Sequence, residues 1–197
     1  MRIFLLSPAN MRGIRGRQLC SPRAKFPAAR LLQSPAGVPI GQAFLFTSGL
    51  YFRGKMTYAT RFAVPPATSA GVGIYVIAPG FGLVSPDWAL DAEKIKRLQR
   101  TPVDPKSRAY RKPLEKHAEA LAATLDGSVE VVLLGSIATG KYLDPLRPIF
   151  GDRLLFPRCF VGLGDMSRGA LLLRAAACGE ELEYASIQYL GERLGKN

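Results

Sequence analysis

Residues 129–146 constrain the fold more than any other stretch of this chain. An apolar, β-branched-rich run from Val129 to Leu134 breaks at Gly135, passes through a small-residue turn, and reaches Gly140, Lys141 and Tyr142 at the mouth of a predicted helix. A short apolar run without polar alternation reads as a strand buried on both faces, which belongs in a sheet covered by helices on both sides. A strand, a glycine turn and a helix with a lysine at its mouth can hold an anion. Turn amides and the positive end of the helix dipole converge there on one point.

Other segments fit around it. Residues 2–7 read as a short buried strand halted by Pro8, and Ile74 to Ala78 as a second that stops at Pro79-Gly80-Phe81-Gly82. Leu154–Phe156, Cys159–Val161 and Leu182–Ile187 read as shorter strands. From Thr47 to Ala63 the pattern is helical, with Ser48 as N-cap and Leu50, Gly54, Tyr58 and Phe62 on one stripe; Arg53, Lys55 and Arg61 fall mostly off it. Further helices are expected over Asp91–Gln99, from Pro113 through Leu114, Ala118, Leu121 and Leu125 to a stop at Gly127, and over Met166–Cys178, capped by Asp165 and ended by Gly179. Residues 64–73 read as an exposed connection, and the stretch from Arg12 to about Gly41 is rich in Pro and Arg with no element assigned to it. Buried strands separated by helices predict one α/β domain over residues 1–197, with a mainly parallel or mixed sheet flanked by helices.

The length suits one well-cored domain, and no apolar run reaches the roughly 18 residues of a membrane helix. Cys20, Cys159 and Cys178 lack metal-type spacing, and a single histidine, His117, removes most zinc sites and the usual Ser-His or Cys-His pairs. Neither a metal site nor a cofactor is expected, and reduced thiols predict a cytoplasmic protein. Net charge is +12, and the first acidic residue is Asp87, so residues 1–86 carry ten Lys or Arg and no Asp or Glu. The remaining 111 residues hold seventeen basic and fifteen acidic groups. A field this one-sided suits a polyanionic partner. An acid-free, Arg-rich start also fits an organelle transit peptide, against which stands the core-strand character of Ile3 to Leu6.

Ligand sites in parallel sheets lie beyond the strand C-termini, where Ser7, Pro79 to Gly82 and Gly135 to Tyr142 all fall. Gly135-Ser136-Ile-Ala-Thr-Gly140-Lys141-Tyr142 matches a Walker A loop except at its last position. That position needs a Ser or Thr hydroxyl for magnesium, which Tyr142 does not supply, so the turn reads as a non-Walker anion or nucleotide site.

Several separated segments, in the same order along the chain, resemble the YaaA family of peroxide-stress-associated proteins and smaller domains related to it. Ile3-Phe-Leu-Leu-Ser7-Pro8-Ala9-Asn10 is similar to that family's N-terminal strand and Ser-Pro-Ala-Lys signature, with Asn10 in the lysine's place. Ile77-Ala-Pro-Gly-Phe-Gly82-Leu83-Val84-Ser85-Pro86-Asp87 resembles its Ser-Gly-Leu-Tyr-Gly-Val-Leu-Arg-Pro segment. Leu50-Tyr51-Phe52-Arg53 and Tyr58-Ala59 resemble the preceding helix of the smaller domains, and Lys141-Tyr142 and Gly164-Asp165-Met166-Ser167-Arg168 the family's later blocks. The resemblance implies a cytoplasmic α/β protein with a basic cleft and a tendency to bind DNA.

Two functions fit these residues. The first is a binding protein that engages nucleic acid, DNA above all, or a phosphate-bearing ligand. Arg12, Arg15 and Arg17 would act as a flexible phosphate-gripping loop with Arg53 beside them, and Tyr51, Phe52 and Tyr58 either stack on bases or form core. The alternative is an enzyme acting on a nucleotide, nucleobase or phosphosugar. Its bed would be Ser7, Asn10, Gly80, Gly82, Gly135, Ser136, Gly140 and Tyr142, with Lys141 on phosphate. Asp87 would be acid or base, a ribose-hydroxyl acceptor, or the structural partner of an arginine. A third role, as a partner subunit, needs no ligand at all.

Overall fold

Strand β1, Arg2–Leu6, shows how the layers are built. Successive side chains of a strand point to opposite faces. Phe4 and Leu6 join Val76, Ala78, Val132 and Leu134 on one side, while Ile3 and Leu5 join Ile77, Val131 and Leu133 on the other. The computed structural model describes residues 1–67 and 71–187. Within them β1 lies between β3 (Ile74–Ala78) and β6 (Glu130–Leu134), parallel to both. Outside β6 runs β7 (Leu154–Pro157), also parallel. Both sheet edges are antiparallel: β4 (Gly82–Val84) returns along β3, and β8 (Tyr184–Ser186) along β7. The order is therefore β4-β3-β1-β6-β7-β8, a mixed, mostly parallel sheet. A two-stranded ribbon pairs β2 (Val38–Pro39) with β5 (Ala89–Leu90).

Helices cover both faces. The Phe4 face receives α1 (Ile14–Leu19), α2 (Pro27–Gln33), α3 (Ile40–Ser48), α4 (Leu50–Phe62), α5 (Ala92–Arg100) and α8 (Asp165–Cys178). The Ile3 face receives α6 (Arg108–Thr124) and α7 (Gly140–Phe150). Among the described residues no helix is long and apolar enough to cross a membrane.

Several local expectations are corrected. The stretch from Arg12 to Gly41, for which the sequence offers no element, holds α1, α2, β2 and the start of α3, short elements ordered by buried Leu19, Ala29 and Val38 rather than by a long periodic pattern. The expected helix over Thr47–Ala63 is two helices. Gly49 takes φ 61°, a conformation glycine adopts readily, and turns the chain between them, so Ser48 ends α3 instead of capping α4. Helix α6 begins at Arg108, and Pro113 lies inside it. Its first turns are anchored by Tyr110, which is buried and donates from its hydroxyl to the Lys141 carbonyl at 2.9 Å. Gly82 opens a strand, Cys159 lies in a short 3-10 turn, and the last strand shortens to Tyr184–Ser186. Gly164, not Asp165, is the N-cap of α8. The expected connection 64–73 lies partly outside the described residues.

Candidate functional site

The strand order creates a crevice. From β1 the chain leaves toward the face of α1 to α4 and next enters the sheet at β3, on one side of β1. From β6, on the other side of β1, it leaves toward the face of α7 and moves outward to β7. Two neighbouring parallel strands whose continuations diverge to opposite faces leave a gap beyond their C-termini, the usual place for a ligand in an open α/β sheet. The Ser7 amide donates to the Leu134 carbonyl at 3.1 Å and so holds both strand ends at its rim. A cavity of about 540 Å³ opens there, a size that suits a small organic ligand.

Of the residues expected at a site, Ser7, Asn10, Arg12, Ser136, Lys141 and Tyr142 line this cavity. The Asn10 carboxamide oxygen accepts from the Arg12 amide at 2.9 Å and tightens the turn after β1. Arg12 is exposed and donates from Nε to the Gln99 carbonyl. Lys141, also exposed, stands in the first turn of α7, where Thr139 supplies no side-chain cap to the helix amides.

The other expected residues do not line it. Asp87 is exposed in the turn after β4, its amide 3.3 Å from Ser85 Oγ. Gly82, at φ 88°, is a packing residue: a side chain there would collide with the Pro113 carbonyl and His117 Nδ1. Gly80, at φ 85°, is packed against Thr101 and Arg97 and gives its carbonyl to Arg97 Nη2 at 2.6 Å. A Cβ on Gly140 would collide with the Asp144 carboxylate. One on Gly135 would press on Ser7 Cβ at 3.1 Å and Tyr142 Cδ2 at 3.3 Å, so that glycine lets these two side chains meet. Arg15 and Arg17 are not in a flexible loop. They stand on α1, where Arg15 Nη1 donates to the Phe46 carbonyl at 3.4 Å and Arg17 Nη1 to the Arg12 carbonyl at 3.2 Å. Arg53 is exposed on α4, away from the cavity wall.

The most unusual chemistry belongs to a residue placed off the apolar stripe by sequence. Lys55 is 1% exposed. Its Nζ lies 2.6 Å from the Ser7 carbonyl and 2.8 Å from Ser7 Oγ, over the rings of Tyr51 at 4.4 Å and Phe52 at 4.9 Å. Burial pushes its pKa down to about 7, opposed by the charge of Asp165. Ser7 itself is 4% exposed and presents its remaining surface to the cavity. Beside it Tyr142 is buried, and burial raises its pKa, with the Ser7 hydroxyl drawing it back.

Tyr51, Phe52 and Tyr58 are core residues, which removes them as base-stacking platforms. Tyr51 still reaches the cavity wall, and among the described residues its hydroxyl is the buried side-chain polar atom without a hydrogen-bond partner. Burial pushes its pKa up to about 12 against the nearby Arg168 guanidinium, which donates instead to the Phe160 carbonyl at 3.0 and 3.3 Å. Asp165, expected only as a helix cap, supplies a carboxylate to the cavity wall and lies 3.5 Å from Arg168.

No family model, curated protein or solved structure matches this chain. The likeness to the YaaA family therefore rests on the short segments quoted above, and the chemistry must be read from the cavity.

Proposed function

We propose that the protein binds a phosphate-bearing molecule of nucleotide size in the cavity beyond β1 and β6. The observation that carries this reading is that Arg12, Asn10, Ser136 and Lys141 all line one cavity. Two cations and the uncapped first turn of α7 favour an anion. The carboxylate of Asp165 suits sugar hydroxyls, which donate, better than phosphate oxygens, which accept. Phosphate thus belongs at the Arg12 and Lys141 side and the neutral body of the ligand toward Ser7 and Tyr51.

A thermal-shift panel of nucleotides, sugar phosphates and pyrophosphate tests the proposal. A ligand present at 100 times its Kd adds about 2.7 kcal/mol, which for a chain of this size raises Tm by about 5–10 °C. Lys141→Ala and Arg12→Ala should each reduce that shift. Absence of any shift across the panel, or an undiminished shift in Lys141→Ala, would overturn it.

A second reading, nucleic-acid binding, is favoured by the acid-free segment. Of its ten cations, Arg2 is paired with Glu130 and Glu181 and Lys55 is buried, which leaves eight exposed. Arg15 and Arg17 are anchored next to cavity residues, so a strand end entering the cavity would meet three arginines at its mouth.

A further inference from the structure

Ser7 and Lys55 form a nucleophile–base geometry that phosphate binding does not require. The lysine amine lies behind the serine, within hydrogen-bond distance of Oγ, and is not itself in the cavity wall. We propose that Ser7 is a nucleophile with Lys55 as its general base, and that the cavity floor performs acyl transfer on an ester or amide of a phosphate-bearing molecule.

The geometry supplies a hydroxyl on the cavity and a base within reach of its proton. A neutral amine keeps two N–H donors and one lone pair. One N–H bonds the Ser7 carbonyl at 2.6 Å and fixes Nζ, and the lone pair then points along the 2.8 Å contact to take the Oγ proton. Removal from water favours the neutral amine near pH 7, whereas the groups facing it, the Tyr51 and Phe52 ring faces of α4 and the Asp165 carboxylate of α8 with Arg168 beside it, pull the other way and are outweighed.

The same environment selects the reacting group. A phosphate placed against Ser7 would add negative charge beside Lys55, stabilise the ammonium and remove the base. A neutral carbonyl would not. The phosphate of the substrate therefore belongs at Arg12 and Lys141, a part of the proposal that rests on the phosphate-binding reading. In the first half-reaction Ser7 Oγ bonds the carbonyl carbon and its proton passes to Lys55 Nζ. The bond to the leaving alcohol or amine breaks, and that group takes the proton from Lys55. Water then attacks the acyl carbon, giving a proton to Lys55, and Ser7 Oγ departs and is reprotonated. The balance is ester or amide plus water to acid plus alcohol or amine.

The test is labelling of the intact chain with a neutral alkyl fluorophosphonate, read by intact mass and peptide mapping. The expected result is a single adduct on Ser7, no adduct in Ser7→Ala, and labelling at least about 100-fold slower in Lys55→Met, the lower range for loss of a general base. The wild-type rate should rise about tenfold per pH unit below about 7 and level above it. This profile decides the matter even where Lys55→Met fails to fold. No adduct on Ser7, an equal rate in folded Lys55→Met, or a rate flat with pH would overturn the proposal. Pyrophosphate and nucleotides are then tested as protectants. Labelling of Ser7 without protection upholds the nucleophile and removes the phosphate, whereas stabilisation by a nucleotide without labelling does the reverse.

Discussion

Lys55 occupies a place where a charged lysine is costly, because neither Ser7 nor the flanking rings carry an opposite charge. Its pKa falls from 10.5 to about 7 on folding. Between those values the unfolded chain binds a proton that the folded chain does not, so stability rises with pH across that window and is lowest below about 7. Relative to Lys55→Met, the wild type should gain on the order of a few kcal/mol between pH 6.5 and 9.5. Urea unfolding of both proteins at the two pH values measures this, and a difference that does not change with pH would count against a buried titrating amine. The sequence holds a faint sign of this burial: Tyr51, Phe52, Tyr58 and Ala59 stand at i−4, i−3, i+3 and i+4 from Lys55, the neighbours of one helix face. The sign was weak because lysines usually occupy the solvated side, and α8 closes that side only in three dimensions.

At the scale of elements, the crossing of α4 and α8 sets the positions of Tyr51, Lys55 and Asp165. The two helices meet through glycines. A Cβ on Gly54 would meet the Gly169 carbonyl oxygen at 2.6 Å, and one on Gly169 would meet Tyr51 Cα at 2.9 Å. Gly54→Val should therefore force the helices apart and cost about 1–3 kcal/mol, seen as a lower Tm, and it should also blunt any ligand response of the cavity. Gly127→Ala, where an added Cβ meets nothing within 4 Å, serves as the control. A Gly54→Val protein as stable as that control would show that the crossing tolerates separation. Helix α4 also shows what periodicity can and cannot supply. Gly54 and Tyr58 of the expected stripe are buried, yet the break at Gly49 and the short α1 and α2 carry too few turns for a pattern to be read.

For the whole molecule, charge and topology act together. Arg12 lines the cavity, and Arg15 and Arg17 on α1 bond to the Phe46 and Arg12 carbonyls next to it, so duplex or single-stranded DNA should bind with an affinity that falls as salt rises. Changing all three to Ala should lower the slope of log K against log salt by about 2–3, at 0.7–0.9 per lost phosphate contact. No measurable binding at low salt, or an unchanged slope, would remove nucleic acid as a partner. Most of the parallel core was legible because buried strands advertise themselves. Ile3 to Leu6, Ile74 to Ala78 and Val131 to Leu134 are apolar through both faces, and the α/β class followed from the helices between them. That Ser7, Ser136, Lys141 and Tyr142 would lie near one cavity was legible for a related reason, since residues just past parallel strands stand at the C-terminal end of the sheet, where crevices open. Which of the strand ends meet was decided only by the order β4-β3-β1-β6-β7-β8. That order puts Ser7 beside Gly135 and leaves Asp87 outside the cavity. It also lets α8 return across α4 and bury Lys55 against Ser7, 48 residues earlier in the chain. Local sequence sets which segments are buried, through the side-chain period of each element. Long-range pairing sets which polar groups share that burial, because contacts between distant segments leave no period behind them.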